Sequence, residues 1–90
     1  VRSKNKRSPT AAERAHIEKV ARLPCVVCGS YGDSDGCEVH EPEQGMWWIS
    51  IPLCPACHRG PDGWHGTRLL WSLHKMTELK AINETVRQIA

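Results

Sequence analysis

The spacing of apolar residues along this chain changes several times, and each change marks a new element. Thr10-Ala11-Ala12-Glu13 reads as a capping box, in which Thr takes a helix N–H and Glu reaches back to the cap. A helix to about Arg22 follows, with Ile17, Val20 and Ala21 as its apolar stripe. His16 reads as an ordinary edge residue of that helix. Leu23-Pro24 ends it. Residues 29–36 are a loop by composition. Cys37-Glu38-Val39-His40 is the first strand candidate, stopped by Pro42. Residues 46–51, aromatic and β-branched, are the second. Adjacent strand residues face opposite sides, so one of Trp47 and Trp48 is expected in the core. Pro55 suits the first turn of a short helix, which Gly60-Pro61-Asp62-Gly63 stops or interrupts.

Thr67 can cap a further helix through Met76, with Leu69, Leu70, Leu73 and Met76 apolar. Thr77 can cap another, with Leu79, Ile82, Val86 and Ile89 apolar. At about 100° per residue these stripes fall on nearly opposite faces. One straight helix could not bury both, so a break is expected near Met76-Thr77. The order predicts an α+β fold: a short β-hairpin plus helix, flanked by an N-terminal helix and C-terminal helices. Residues 10–90 read as a single domain and residues 1–9 as a disordered basic tail.

Ninety residues without a single Phe bury a modest core and often need a staple. The cysteines supply one. Cys25-Val26-Val27-Cys28 and Cys54-Pro55-Ala56-Cys57 are two Cys-x-x-Cys pairs with 25 residues between them. Thiolates three positions apart on a tight turn point into one concavity, and two such turns complete a tetrahedral Cys₄ zinc site. Cys37, the fifth cysteine, reads as a small buried strand residue. The basic start of the sequence lacks the apolar segment of a secretory signal, and no apolar run approaches membrane-spanning length, so a cytoplasmic location away from membranes is expected.

Net charge is +2, unevenly spread. Arg2, Lys4, Lys6 and Arg7 crowd the first seven residues, whereas residues 24–57 contain no Lys or Arg but hold Asp33, Asp35, Glu38, Glu41 and Glu43. An acidic centre repels phosphate unless a divalent cation sits there. Three histidines have no use in a Cys₄ site: His40 at the end of the first strand, His58 directly after the second cysteine pair, and His65 after the glycine-proline loop. If strands and helix fold back on each other all three can converge, and imidazole serves both as metal ligand and as general base near neutral pH.

Cys-x-x-Cys-Gly, then Cys37-Glu38-Val39-His40, then Ile51-Pro52-Leu53-Cys54-x-x-Cys57-His58-Arg59-Gly60 resembles the HNH, or ββα-metal, endonucleases. The closer likeness is to small phage-encoded members of the RecA-dependent nuclease type, and Gly63-Trp64-His65-Gly66 and Leu70-Trp71 extend it over roughly residues 11–80. The resemblance implies structural zinc on Cys25, Cys28, Cys54 and Cys57. It implies a catalytic divalent ion (Mg²⁺, Mn²⁺ or another) on His58, with His65 a further ligand. It implies hydrolysis of DNA phosphodiester bonds with little sequence specificity, with Arg59, Arg68 and the basic tail on the backbone. A bacterial host cytoplasm and a recombinase partner belong to the same implication.

Two positions depart from the family pattern. Where members carry His-His or Asp-His, this chain has His40-Glu41 preceded by Val39. In one register His40 binds the ion and Glu41 is the base; in the other His40 is the base. A Glu base needs its pKa raised, or metal-bound water to deprotonate. The middle Asn is replaced by the Trp48-Ile49-Ser50 stretch. These departures keep a non-catalytic, zinc-stapled nucleic-acid-binding module open as the alternative, with a protein-binding adaptor behind it. Nothing in the sequence points to an oligomeric state.

Overall fold

The computed structural model describes residues 8–31 and 36–90. The basic cluster Arg2, Lys4, Lys6 and Arg7, and with it most of the expected disordered tail, lies outside the described residues. The fold is small and α+β. Its elements in chain order are helix α1 (Ala11–Ala21), strand β1 (Glu38–His40), strand β2 (Ile51–Leu53) and helices α2 (Pro55–His58), α3 (Leu69–Leu73) and α4 (Glu78–Ile89).

The capping box is present in full. Glu13 N donates to Thr10 Oγ1 at 3.1 Å, and Thr10 N donates to Glu13 Oε1 at 2.8 Å. The two strands pair antiparallel, with Glu38 opposite Leu53, Val39 opposite Pro52 and His40 opposite Ile51. Every residue of β2 is buried. Pro52 is tolerated because a two-stranded sheet has only edge strands, so a strand face that cannot donate need not break a ladder.

The second strand differs from the sequence expectation. Residues 47–49 form a 3₁₀ turn, and β2 begins only at Ile51. The turn is closed by Ser50, whose N and Oγ both donate to the Trp47 carbonyl, at 3.2 and 2.7 Å. This local bonding outcompetes the β preference of Trp and Ile. Neither indole joins the core, because the turn ends the alternation of faces that a strand would give: Trp47 is half-buried, and Trp48 is 52 % exposed and tilted against His16 at 5.0 Å between ring centroids.

The break between the C-terminal helices is present. Lys75 takes a positive φ of 53°, and Thr77 caps α4 by accepting from Lys80 N at 3.2 Å. The faces they bury match the expected stripes only in part: Leu70, Met76 and Ile82 pack half-buried against the core. In α3, Trp71 points inward, while Leu69 and Leu73 are exposed. In α4, Ala81 and Thr85 are buried, and Leu79 is 79 % exposed. Small residues let the helix axis approach β2 and α1, against which α4 packs.

The core joins Cys25, Val27, Cys37, Ile51, Leu53, Cys54, Cys57, Trp71 and Ala81. Three of the four paired cysteines, Cys25, Cys54 and Cys57, are part of that core, and Cys28 is exposed at its edge, so whatever occupies them is continuous with the packing. No helix among the described residues is long and apolar enough to cross a membrane.

Candidate metal centres

Two clusters of ligand atoms meet at α2, which contributes Cys57 to one and His58 to the other. The first is Cys25, Cys28, Cys54 and Cys57, whose Sγ atoms all lie within 4.8 Å of one another. The first pair sits on a turn closed by Gly29 N donating to the Cys25 carbonyl at 2.8 Å, with Gly29 at a positive φ of 83° that favours glycine. Val26 N donates to the Pro52 carbonyl at 3.0 Å and holds this turn against β2. The second pair is set by α2: Cys54 is its N-cap, Pro55 follows in the first turn, and Cys57 lies one turn on.

Four thiols so placed fit a structural metal such as zinc. Zn–S bonds of about 2.3 Å in a tetrahedron require S···S edges of about 3.8 Å. Cys28 Sγ and Cys54 Sγ, from opposite turns, stand 3.7 Å apart. Among the described residues no disulfide links these cysteines. Burial pushes the Cys57 thiol far up, with the neighbouring cysteines adding to it. Burial also raises Cys28, but hydrogen bonds from Ser30 and from Cys54 and Cys25 outweigh it and bring that thiol down to about 7. Cys37 is buried in the core as expected, though one residue before β1 and not within it, with its Sγ 3.7 Å from the Ser30 carbonyl and outside this cluster.

The second cluster is His40, His58 and His65, each offering a ring nitrogen within 4.8 Å of the others'. The chain brings them together by three devices. His40 ends β1, opposite Ile51. His58 closes α2, whose first residue follows β2 by way of Cys54. His65 arrives because the glycine-proline loop runs back along α2: Trp64 N donates to the Cys57 carbonyl at 2.8 Å and His65 N to the His58 carbonyl at 3.0 Å. That close return needs Gly63, where an added Cβ would stand 2.5 Å from the Ala56 carbonyl oxygen. Trp71 Nε1 donates to the same Cys57 carbonyl at 2.9 Å and locks the loop from below.

Carboxylates orient two of the three rings. Glu38 Oε1 lies 2.8 Å from His58 Nδ1, and Glu38 Oε2 accepts from Arg59 Nε at 2.7 Å. Glu78 Oε2 lies 3.3 Å from His40 Nε2. His58 Nε2 and His65 Nε2 stand 3.2 Å apart. Metal–nitrogen bonds of about 2.0–2.1 Å in a tetrahedron give an edge of about 3.3 Å, so this pair fits a shared cation. Burial holds His40 below the usual imidazole range; His58 and His65 push the same way, and Glu78 pulls against them. A neutral ring keeps the lone pair that a cation needs. Burial alone would raise the Glu38 carboxyl, but the hydrogen bonds from His58 and Arg59 hold it below its ordinary value.

The cluster lines a cleft of about 460 Å³ with Val39, Glu41 and Gln44. Glu41 Oε1 accepts from Gly45 N at 2.8 Å and closes the turn after β1. A larger cleft of about 860 Å³ lies between the first cysteine turn and α4; it holds no histidine. The two cations expected at the backbone flank the histidines but are engaged. Arg59 is paired with Glu38, and Arg68 lies over the Trp64 ring at 3.6 Å while its Nε donates to the Trp64 carbonyl at 2.8 Å.

Sequence reading missed Glu38 and Glu78. Glu38 carried a signal, since residues two apart on a strand share a face and Glu38 precedes His40 by two. Glu78 carried none: it looks like any acidic residue in a first helical turn, and it reaches His40 across 38 positions. Comparison with family models, with curated proteins and with solved structures finds no match to this chain.

Proposed function

We propose that the chain is a metal-dependent DNA endonuclease of the HNH, ββα-metal type, with zinc on the cysteines and a catalytic divalent cation on the histidines. The observation that carries this reading is the convergence of His40, His58 and His65 from three elements, with ligand nitrogens within 4.8 Å. A structural Cys₄ domain has no need of a second, histidine-built set with its own carboxylate supports. Carboxylate–histidine pairs at a cleft are the usual outer shell of a working metal site.

A bound divalent cation supplies charge neutralisation and Lewis-acid polarisation of a phosphoryl oxygen. The chain's own residues do the rest. His40, His58 and His65 fix the cation's position. Glu38 holds His58 with Nε2 toward the cleft by accepting from Nδ1. Glu41 lines the same cleft; its Oε1 is taken by Gly45 N, and Oε2 is the atom left to receive a proton from attacking water. Arg59 and Arg68 place positive charge on the rim, where backbone phosphate contacts carry no base information.

The binding-module reading has one observation in its favour, the exposed Trp48 indole with Met46 beside it, a surface on which bases could stack. Nicking of supercoiled plasmid, with single-stranded DNA alongside, under Mg²⁺, Mn²⁺ and EDTA separates the two. Cation-dependent nicking that is lost in His40→Ala and His58→Ala is expected. A folded, zinc-loaded protein that binds DNA and never cleaves it would leave the binding module as the function.

A further inference from the structure

Glu78 is the group at the histidine cluster that the cleft and the motif leave without a role. It is the first residue of α4, which begins 38 positions after His40, and its Oε2 lies 3.3 Å from His40 Nε2. The His40 side chain is only 8 % exposed, so this carboxylate is not one passing solvent partner among many. A neutral imidazole carries one N–H and one lone pair. An ionised carboxylate only accepts. The ring nitrogen facing Glu78 is therefore the protonated one, and the lone pair falls on Nδ1.

The other supported ring obeys the same logic with the nitrogens exchanged. Glu38 accepts from His58 Nδ1, and the nitrogen left with a lone pair is Nε2, which is the atom 3.2 Å from His65 Nε2. The two carboxylates thus select opposite tautomers on neighbouring rings whose centroids are 5.1 Å apart. Glu78 is not itself within the set of mutually close ligand atoms, which contains the histidines alone. Its place is behind His40.

Resting on the nuclease reading above, we propose that Glu78 is a positioning residue: it fixes His40 as the Nε2–H tautomer, presents the Nδ1 lone pair to the cation shared with His58 and His65, and so couples cation loading to docking of α4. Coordination at one ring nitrogen makes the N–H at the other a stronger donor, so the contact with Glu78 tightens when the cation arrives. The N-terminus of α4 is drawn toward β1 by the same step. A residue that served only the helix dipole would do neither.

The test uses the full chain with zinc on its cysteines. Two-bond ¹H–¹⁵N correlation of the histidine rings reads the tautomer directly, and Mn²⁺ titrated by calorimetry reads the histidine site. In the wild type, His40 shows a protonated Nε2 and an unprotonated Nδ1. In Glu78→Ala the two tautomers mix and Mn²⁺ binds about 10–100-fold more weakly. Glu78→Gln, which keeps an acceptor but no charge, restores the tautomer and most of the affinity. Amide exchange in α4 slows on cation loading in the wild type and not in Glu78→Ala. An Nδ1–H ring in the wild type overturns the proposal without any variant. So does a folded Glu78→Ala that binds Mn²⁺ as tightly as the wild type. A wild type that binds no Mn²⁺ overturns the nuclease reading, and the tautomer comparison then still decides whether Glu78 positions His40.

Discussion

Glu38 and His58, 20 residues apart, form a 2.8 Å hydrogen bond that joins the first strand to the helix after the second. The carboxylate lies on the strand face shared with His40, and its second oxygen is held by Arg59. Removing it frees the His58 ring to rotate and to place its proton on either nitrogen. Glu38→Ala is therefore expected to weaken Mn²⁺ binding at the histidines by about 10–100-fold. Zinc on the cysteines should be untouched, as thiolate-to-Co²⁺ absorption of a cobalt-substituted sample would reveal. Equal losses at both sites would mean that Glu38 supports the fold and not the ring.

Binding of zinc to the four cysteines releases protons, because each thiol must ionise to coordinate. Burial pushes Cys57 up in the metal-free protein, and Cys28 lies at about 7. Protons thus compete for Cys57 already at neutral pH, and as pH falls through about 7 they compete for Cys28 too, so zinc affinity is expected to drop more steeply below about 7. Chelator competition at several pH values measures this. Complete removal of zinc should abolish the near-ultraviolet signal of the buried Trp71, since three of the four cysteines sit in its core. A metal-free protein with native tertiary signal would show that the packing holds without the staple.

Trp71 is 2 % exposed and donates to the Cys57 carbonyl that Trp64 N also uses. Trp71→Ala opens a cavity beneath the returning loop and is expected to cost about 3–5 kcal/mol. Urea unfolding of the zinc-loaded protein is the measurement. Histidine-site affinity for Mn²⁺ should fall as well, since the loop that carries His65 loses its support.

Helix α4 offers a contrast between chemistry and place. Leu79 is the more hydrophobic residue, yet it is exposed, while Ala81 is fully buried. Leu79→Ser is expected to change stability by no more than about 0.5 kcal/mol. Ala81→Leu forces extra volume into the contact with β2 and should cost about 1–3 kcal/mol. The reverse ranking in thermal or urea unfolding would place α4 differently.

Local signals wrote much of this protein into its sequence. The capping box at Thr10, Pro55 at the start of α2 and the break before Thr77 depend on near neighbours alone, and each stands where the sequence puts it. The spacing of the cysteine pairs is also local, and it announced the Cys₄ cluster. Residues 47–49 turned because Ser50 bonded back to Trp47, a local competition that β propensity does not register. Tertiary structure decided the rest. Which face of α4 is buried depended on how near its axis could come to β2, which favoured Ala81 over Leu79. The histidines were visible as candidates, but their supports were not. Glu78 meets His40 only because a helix that begins after residue 77 docks back on a strand that ends at residue 40. Contacts between elements far apart in sequence carry no period and no spacing, so only the folded chain reveals them.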